Sequence, residues 1–473
     1  MKIDTTSIVS ILKDVTFYDD AKNRKVVYAE FTNINNERWF CNVDGDDFKA
    51  FLRISYANTV NTDEELQVDP VLRRIHDESR TYGQNEKIDV HYRLAGNLYG
   101  RIEYFLADSE RNIVQVDCNG VKITNSSDYK FLRRAGTLSQ CIPKPNQQSI
   151  FDILRPFVNI SGGAFKLFVI WLIQAFSSGS HYCIFLSAER GSGKSLLTHV
   201  INKLIDPSPA ETSAMPRNLD DLQTFLSNHY LCCFDNIDKF SKEFSDTFCV
   251  AITGGTVPRR MKFYDTDMVY LQLHNVIVFN GIGIAPAEED LAERALFFEM
   301  KKLQSTEIIP EREIWQSFER KRSEILWCIF DILSNASKII GTVKSESKKR
   351  MGDAYMEMLA IARVLGISDD EFNSLLEANI QNMASAKLAD PVVVAVDEYM
   401  KRHHSRKLHG SSTEVYNRIA GAYSGKCGAI PVSAAAFGKR LNELTVQFKN
   451  AGYRVLIDDT GSKHNTITII REK

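Results

Sequence analysis

A glycine-rich segment stands between a stretch with strand character and a stretch with helix character. HYCIFLS before it is apolar, whereas SLLTHVINKLI after it has apolar residues at helical spacing. Gly191 and Gly193 would let the backbone curl so that its amides face a phosphate at the start of a helix. The segment consists of Ala188, Glu189, Arg190, Gly191, Ser192, Gly193, Lys194 and Ser195.

The two residues that close this segment extend the same chemistry. Lys194 could reach the β- and γ-phosphates of a nucleotide as a point charge, and the Ser195 hydroxyl could ligate Mg²⁺. The spacing is that of a Walker A loop, except that Ala188 replaces the first glycine, which a negative φ would tolerate. The competing interpretation is a chance Gly/Ser turn before a lysine, but the flanking strand and helix favour the loop. The sequence therefore predicts an ATP and Mg²⁺ site.

A second apolar stretch downstream, HYLCCFDNID at 229–238, ends in Asp235. A carboxylate there suits a Walker B residue that holds Mg²⁺ through water. Asn236 stands where many ATPases have a catalytic Glu, and an amide cannot act as a general base. Asp238 is a candidate for that base, while Asn236 would only orient the attacking water.

Two further residues fit the same site. NVIVFN at 275–280 ends in Asn280, which could sense the γ-phosphate or merely cap the next turn. DLAERALFFEM then places Arg294 on a short helix. A lone arginine is usually a surface or ion-paired group, but in ring ATPases an arginine finger at this place reaches the neighbouring subunit's nucleotide.

In this order, the motifs AERGSGKS, CCFDN, AITGGTVPRRMKFYDTD, VIVFNGI and DLAERALFFE resemble the AAA+ ATPases of phage and mobile-element replication proteins. These are close to superfamily 3 helicases, poxvirus-type primase-helicases and MCM-like helicases, and the resemblance covers roughly residues 90–473. It implies a hexameric ring and a β-hairpin that follows single-stranded DNA in the pore. Arg259, Arg260 and Lys262 would contact this DNA, or the two arginines would form ion pairs between subunits.

The C-terminal part, from Asp390, has three helical patterns followed by a hairpin pattern, which together predict a winged helix. Lys439 and Arg440 on the third helix and Lys463 in the wing would face duplex DNA. A winged helix can equally bind protein. The basic stretch that holds His403, His404 and His409 has no Cys partner and favours solvated histidines over metal ligands.

Composition adds limits rather than a function. The net charge of −2 over 473 residues conceals a contrast, because residues 401–473 hold thirteen Lys and Arg against five Asp and Glu. Nine scattered cysteines without a C-x-x-C pair favour reduced thiols in a cytoplasmic protein. The start of the chain has no signal-peptide pattern, and the apolar stretch at 165–176 is too short for a bilayer. We therefore expect a buried helix there and no membrane partner.

The predicted fold class is α/β, with a P-loop AAA+ core. The predicted divisions are an N-terminal α+β accessory domain (1–140), the ATPase core (141–304), a helical segment (305–389) and the winged helix (390–473). The leading hypothesis is an ATP-dependent DNA helicase or translocase with a primase or initiator partner. The alternative is a nucleotide-gated assembly ATPase, whereas a metabolic P-loop kinase would leave the hairpin, Arg294 and the winged helix unexplained.

Overall fold

The protein is described from a computed structural model of the whole chain. The structure describes residues 5–472, except 24, 34, 62–65, 135, 189–190, 238–240, 261–267, 282–283, 287, 305–308, 345–349, 389, 424–429 and 459–465.

The N-terminal residues form a four-stranded sheet packed with three helices. The strand order is β3-β2-β1-β4, with only the β1–β4 pair parallel. Phe48 and Leu52 of the second helix are fully buried in the core between helices and sheet. The elements are α1 (Thr5–Leu12), β1 (Thr16–Asp20), β2 (Val27–Thr32), β3 (Arg38–Asn42), α2 (Asp46–Val60), α3 (Val68–Tyr82) and β4 (Glu86–Ile88).

A second, strand-rich region follows. Its antiparallel sheet has the order β6-β7-β8-β9, and β5 pairs with β10 beside it. The elements are β5 (Val90–His91), β6 (Leu94–Ala95), β7 (Ile102–Phe105), β8 (Ile113–Asp117), β9 (Gly120–Thr124) and β10 (Lys130–Phe131). Buried Arg93 donates to Asp206 at 2.8 Å, which ties this region to the central one. The hydrophobic core is continuous from Leu94 to Met383, so it crosses the predicted boundary at residue 141.

The central region is a mixed α/β layer built on a parallel sheet of order β12-β15-β11-β16. All residues of β11, β12 and β15 are buried, as expected for strands covered on both faces. The elements are α4 (Ile150–Leu154), α5 (Gly162–Gln174), β11 (Cys183–Ala188), α6 (Lys194–Ile205), α7 (Leu219–Asn228), β12 (Leu231–Phe234), α8 (Lys242–Thr253), β13 (Gly255–Arg260), β14 (Met268–Leu273), β15 (Val276–Gly281), α9 (Glu289–Ala292) and β16 (Ala295–Met300).

Helices dominate the next region, as the sequence predicts. They are α10 (Glu311–Ile339), α11 (Gly352–Val364) and α12 (Asp369–Leu388). By length and composition, Glu311–Thr342 is one described helix that could cross a membrane, and the bent pair Ile150–Phe157 with Gly162–Gln174 could make a second. Half of the apolar window in the first is buried within the protein, and core helices of soluble proteins have the same composition. α5 is buried from Leu167 to Gln174, which confirms the predicted buried helix.

The C-terminal elements pack around a core of their own. The predicted helices and hairpin are present, with two differences. A short strand, β17, pairs with the hairpin, and the predicted third helix is interrupted at Leu444. The elements are α13 (Pro391–Arg402), β17 (Lys407–Ser411), α14 (Ser412–Ala422), α15 (Ala434–Glu443), α16 (Thr445–Asn450), β18 (Tyr453–Asp458) and β19 (Thr466–Arg471).

Candidate functional site

The predicted phosphate loop connects the end of β11 to the first residue of α6. Gly191 and Gly193 both have a φ of +79°, a left-handed conformation that glycine adopts without steric cost. Gly193 directly precedes Lys194, so the loop ends at the N-terminus of a helix, where free amides favour an anion. Ala188 is buried as the last residue of β11. The predicted loop residues Glu189 and Arg190 lie outside the described residues.

Contacts from two distant segments hold this loop in place. The Asn159 side-chain amide donates to the Ser192 carbonyl at 2.9 Å and to the Lys301 carbonyl at 2.7 Å. The Leu303 amide donates to the Gly191 carbonyl at 3.3 Å. The loop is therefore fixed to the segment that follows β16. Sequence reasoning missed Asn159, because no local pattern relates it to residues so far along the chain.

Lys194 and Asp235 face each other across the same edge of the sheet. Burial lowers the pKa of Lys194, and the Asp235 carboxylate acts in the opposite direction. Asp235 follows β12, and its amide donates to the Ser213 carbonyl at 3.0 Å, which fixes the start of the loop. Ser195 is exposed on the first turn of α6. The predicted Mg²⁺ ligands thus lie on two elements in contact, Ser195 on the first turn of α6 and Asp235 directly after β12.

Asn280 is aligned with Asp235 on the adjacent strand. Phe234 pairs with Phe279, so Asp235 and Asn280 each stand one residue beyond that pair. Asn280 is fully buried, and its side-chain amide donates to Thr198 Oγ1 at 3.3 Å. Its Oδ1 has no hydrogen-bond partner among the described residues. Such an orphan acceptor at a strand end is the kind of group that a water or ligand satisfies.

Asn280 is also connected to α6, the helix that follows the phosphate loop. Thr198 Oγ1 in turn donates to the Lys194 carbonyl at 3.1 Å, one helical turn earlier. Thr198 was not predicted as a site residue, although its place four residues after Lys194 on a predicted helix is a usable signal. Asn280 is therefore linked through Thr198 to Lys194, the residue that directly follows the phosphate loop.

The loop after Asp235 is tied to the same strand. Ile237 donates its amide to the Asn280 carbonyl at 3.0 Å, and a Cβ on Gly281 would lie 2.2 Å from the Ile237 carbonyl oxygen. Only glycine allows this approach. Asn236 is exposed in a left-handed conformation, with a φ of +57°. Asp238, the other predicted water-activating candidate, lies outside the described part of the chain.

The predicted finger, Arg294, is held within its own chain. Its Nη1 donates to Asp290 Oδ2 at 2.7 Å and to the Asp290 carbonyl at 2.6 Å, and its side chain is only 13% exposed. Arg350 also contacts the Asp290 carboxylate and donates to Glu293 at 2.5 Å. Arg350 comes from the helical region and was not predicted. The in-trans role of Arg294 stays a prediction, and it requires release from Asp290.

The predicted hairpin between Asp235 and Asn280 is present as β13 and β14, paired from Gly255 with Leu273 to Arg260 with Met268. Arg259 donates to Thr224 Oγ1 of α7 at 2.5 Å, so this guanidinium is already engaged within the chain, one register pair from the tip end of the described hairpin. Tyr270 is 57% exposed on the opposite strand. The tip, with Lys262, and the side chain of Arg260 lie outside the described residues.

The predicted cations of the C-terminal helix differ in their surroundings. Lys439 is exposed on α15. Arg440 donates to Glu443 at 2.9 Å and to Asp390, the N-cap of α13, at 2.6 Å. Through the contact with Asp390, Arg440 links α15 to the start of α13. Lys463, the predicted wing contact, lies outside the described residues.

The match to one protein family agrees with a role in replication. Residues 151–367 match the model of a family described as actinomycete integrative conjugative element replication protein. No curated protein matches the chain. The apo structure of the NrS-1 C terminal region in its A form is 11% identical, with a TM-score of 0.41, and covers 98% of this chain and 97% of that chain. A second such structure is 10% identical, with a TM-score of 0.40 and coverages of 99% and 100%. The family match fits a replication-associated protein of a mobile element.

Proposed function

We propose that this protein is a cytoplasmic, ATP-dependent DNA helicase or translocase that forms a hexameric ring in the replication of a mobile element. The observation that carries the proposal is the carboxyl edge of the parallel sheet. There the phosphate loop follows β11, Asp235 follows β12, and Asn280 lies near the end of β15, the strand between those two. In open α/β sheets, ligands bind at this edge.

The residues at this edge suit a Mg²⁺–nucleotide complex. The amides of the loop and Lys194 would bind the phosphates, while Ser195 and Asp235 would hold the cation. When bound, ATP supplies an anhydride bond whose hydrolysis can drive movement. The buried Asn280 oxygen, which lacks a partner in the described structure, would orient a water near the terminal phosphate. One strand separates the loop strand from the Asp235 strand, which supports an AAA+ type of core.

Two features support DNA as the partner. The hairpin carries Tyr270, which is paired with Pro258 and is exposed. A nucleic-acid base can stack on the ring of this tyrosine. The C-terminal helices pack on a three-stranded antiparallel sheet, an arrangement that supports the winged-helix assignment. The family match to a replication protein agrees with such a partner.

Strand displacement on a labelled forked duplex tests the proposal. We expect unwinding with ATP and none with a non-hydrolysable analogue. Ring formation with either nucleotide, without displacement, would contradict it and favour the alternative of a nucleotide-gated assembly ATPase that acts as an initiator, loader or defence switch. Asn236 is the observation behind that alternative, because an amide after Asp235 cannot serve as a general base.

We further propose that Arg294 acts on the neighbouring subunit's nucleotide after it leaves Asp290. Arg294→Ala should abolish turnover while sparing nucleotide binding. Lys338→Ala, on an exposed part of α10, is the control. If Arg294→Ala hydrolyses ATP at the parental rate, Arg294 is not the finger, and Arg350, which shares the Asp290 carboxylate, becomes the next residue to test.

A further inference from the structure

We propose that duplex DNA is bound through its phosphates by one end of the C-terminal sheet, rather than by helix α15. This surface, the basic sheet end, consists of Arg406, Lys407, Arg454 and Arg471. None of these residues was predicted as a DNA contact. The proposal deepens the proposed function, because it takes DNA as the partner and specifies where on the C-terminal region it binds.

The strand register places two of the four cations, Lys407 and Arg454, on one face of the sheet, at the end where Arg406 and Arg471 also lie. Lys407 on β17 and Arg454 on β18 both pair with Ile470 of the central strand, β19. Directly opposed residues in a sheet point to the same face, so these two cations share one face on either side of Ile470. Two inter-strand spacings separate their backbones by about 10 Å. Arg471 follows Ile470, and its amide donates to the Arg406 carbonyl at 3.0 Å.

The four cations are available to a ligand. All four are exposed, and none forms an ion pair with another described residue. Glu472 is also exposed at this end, so the local charge is positive rather than balanced. The neighbouring carboxylate of Asp397 is already occupied by Lys401 at 2.7 Å and by the Tyr453 hydroxyl at 2.8 Å.

Helix α15 offers much less positive charge. Of its two cations, Arg440 is bound by Asp390 and Glu443, which leaves Lys439 as the free one in the described helix. The remaining exposed surface at the start of this helix is made of Ala435 and Ala436. A surface with one cation would neutralise few phosphates and release few of the counterions that DNA holds, whereas the basic sheet end has four exposed cations, two of them on one face.

The same face indicates duplex rather than single-stranded DNA. Single strands are bound by aromatic side chains on which bases stack. The outward residues of the described strands carry no Phe, Tyr or Trp. They are Lys407, His409, Arg454, Leu456, Asp458, Thr466, Thr468 and Ile470. Phosphate contact without stacking suits a duplex backbone, which displays one negative charge per roughly 1.7 Å of axis.

The test is the salt dependence of binding of a labelled duplex to the full chain, followed by fluorescence anisotropy. The logarithm of the binding constant falls linearly with the logarithm of the salt concentration, and each lost phosphate contact makes this slope shallower by about 0.9. We expect the slope of the double variant Lys407→Ala/Arg454→Ala to be shallower by about 1.8. At low salt this variant should bind the duplex at least about tenfold more weakly than the parent. Lys439→Ala is the matched control and should keep the parental slope.

Several outcomes would overturn the proposal. One is a double variant with the parental slope and affinity, and another is a loss confined to Lys439→Ala. A loss seen with single-stranded DNA but not with duplex would assign a different ligand. If a polyglutamate peptide binds the parent as tightly as duplex and is lost with the double variant, the surface serves an acidic protein. ATP turnover without DNA, measured in parallel, reports separately on the nucleotide site of the proposed function.

Discussion

The edge of the parallel sheet and the basic sheet end of the C-terminal region are built in opposite ways. At the first, polar contacts within the protein hold parts of the site in place: Asn280 donates to Thr198, and Asn159 donates to the Ser192 carbonyl of the phosphate loop. At the second, exposed cations stand free of ion pairs in the described structure. A preorganised buried site loses function through single substitutions, whereas a charged surface loses affinity in small, roughly additive steps.

Among the substitutions that compare these two regions, the largest effect is expected for Lys194→Ala. Removing a positioned charge that stabilises a phosphoryl-transfer transition state should lower ATP turnover by about 10²–10³-fold. Lys203→Ala is the control, since Lys203 lies on the same helix but pairs with Glu211 at 3.3 Å. Steady-state phosphate release from both variants decides the matter. Equal turnover by the two variants would mean that the loop does not bind the nucleotide.

Asn159→Ala should weaken nucleotide binding by about tenfold. The substitution leaves the Ser192 and Lys301 carbonyls without their donor, at a cost of about 1–3 kcal/mol, and frees the loop to adopt other conformations. Because Asn159 positions the loop without touching phosphate, KM should rise more than kcat falls. Asn335→Ala, on the exposed side of α10, is the control. A fall in kcat with unchanged KM would contradict this role.

The pH dependence of stability should be governed by buried histidines rather than by exposed ones. Burial lowers the pKa of His181 to about 3 and that of His91 to about 4. Between these pKa values and the ordinary value of about 6.5, the unfolded chain binds more protons than the folded chain. The free energy of unfolding should therefore fall as the pH drops from about 6.5 toward 4. Each histidine contributes a slope of roughly 1.4 kcal/mol per pH unit.

His181→Gln should reduce this slope by about one proton, measured by denaturant unfolding across the pH window. Asn335→Ala, which removes no titratable group, is the control and should leave the slope as in the parent. The comparison uses slopes rather than absolute stabilities, because the substitution itself alters packing. An unchanged slope in His181→Gln would show that this buried ring does not govern the acid response.

The smallest effect is expected for Arg440→Ala. Its partly exposed contacts to Asp390 and Glu443 should contribute about 1 kcal/mol or less to the stability of the C-terminal region. We therefore expect a thermal midpoint lower by a few degrees and an unchanged salt slope of duplex binding. A slope reduced by about 0.9 would instead make Arg440 a phosphate contact, as the sequence predicted.

The sequence predicted those features that depend on local order. The glycine-rich loop, the apolar strands that end in Asp235 and Asn280, the hairpin between them and the C-terminal helices all carry their signal within a few residues. Each appears in the structure at the predicted place. Such signals arise because turns need glycine and buried strands need continuous apolar runs.

What the sequence did not predict depends on contacts between distant segments. Nothing near Asn159 indicates that it will meet Ser192 and Lys301, and nothing near Asp290 indicates that Arg350 will contact it. The Asp290–Arg294 pair, by contrast, has the i,i+4 spacing of a helical ion pair, a local signal that sequence reasoning did not use. Arg440 was expected to face DNA, because helical spacing alone cannot show that Asp390 lies within reach. The strand β17 was missed because its partner is β19, far along the chain, and its five residues have no strand pattern of their own.

The central claim is that a Mg²⁺–nucleotide complex binds at the edge of the parallel sheet. Equilibrium titration of the full chain with a fluorescent ATP analogue, with and without Mg²⁺, tests it most directly. We predict saturable, Mg²⁺-dependent binding that unlabelled ATP displaces and that Asp235→Asn weakens by at least about tenfold, the loss expected for a charged ligand of the cation. Absence of saturable binding in the parent, or identical Mg²⁺-dependent affinity in Asp235→Asn, would contradict the account.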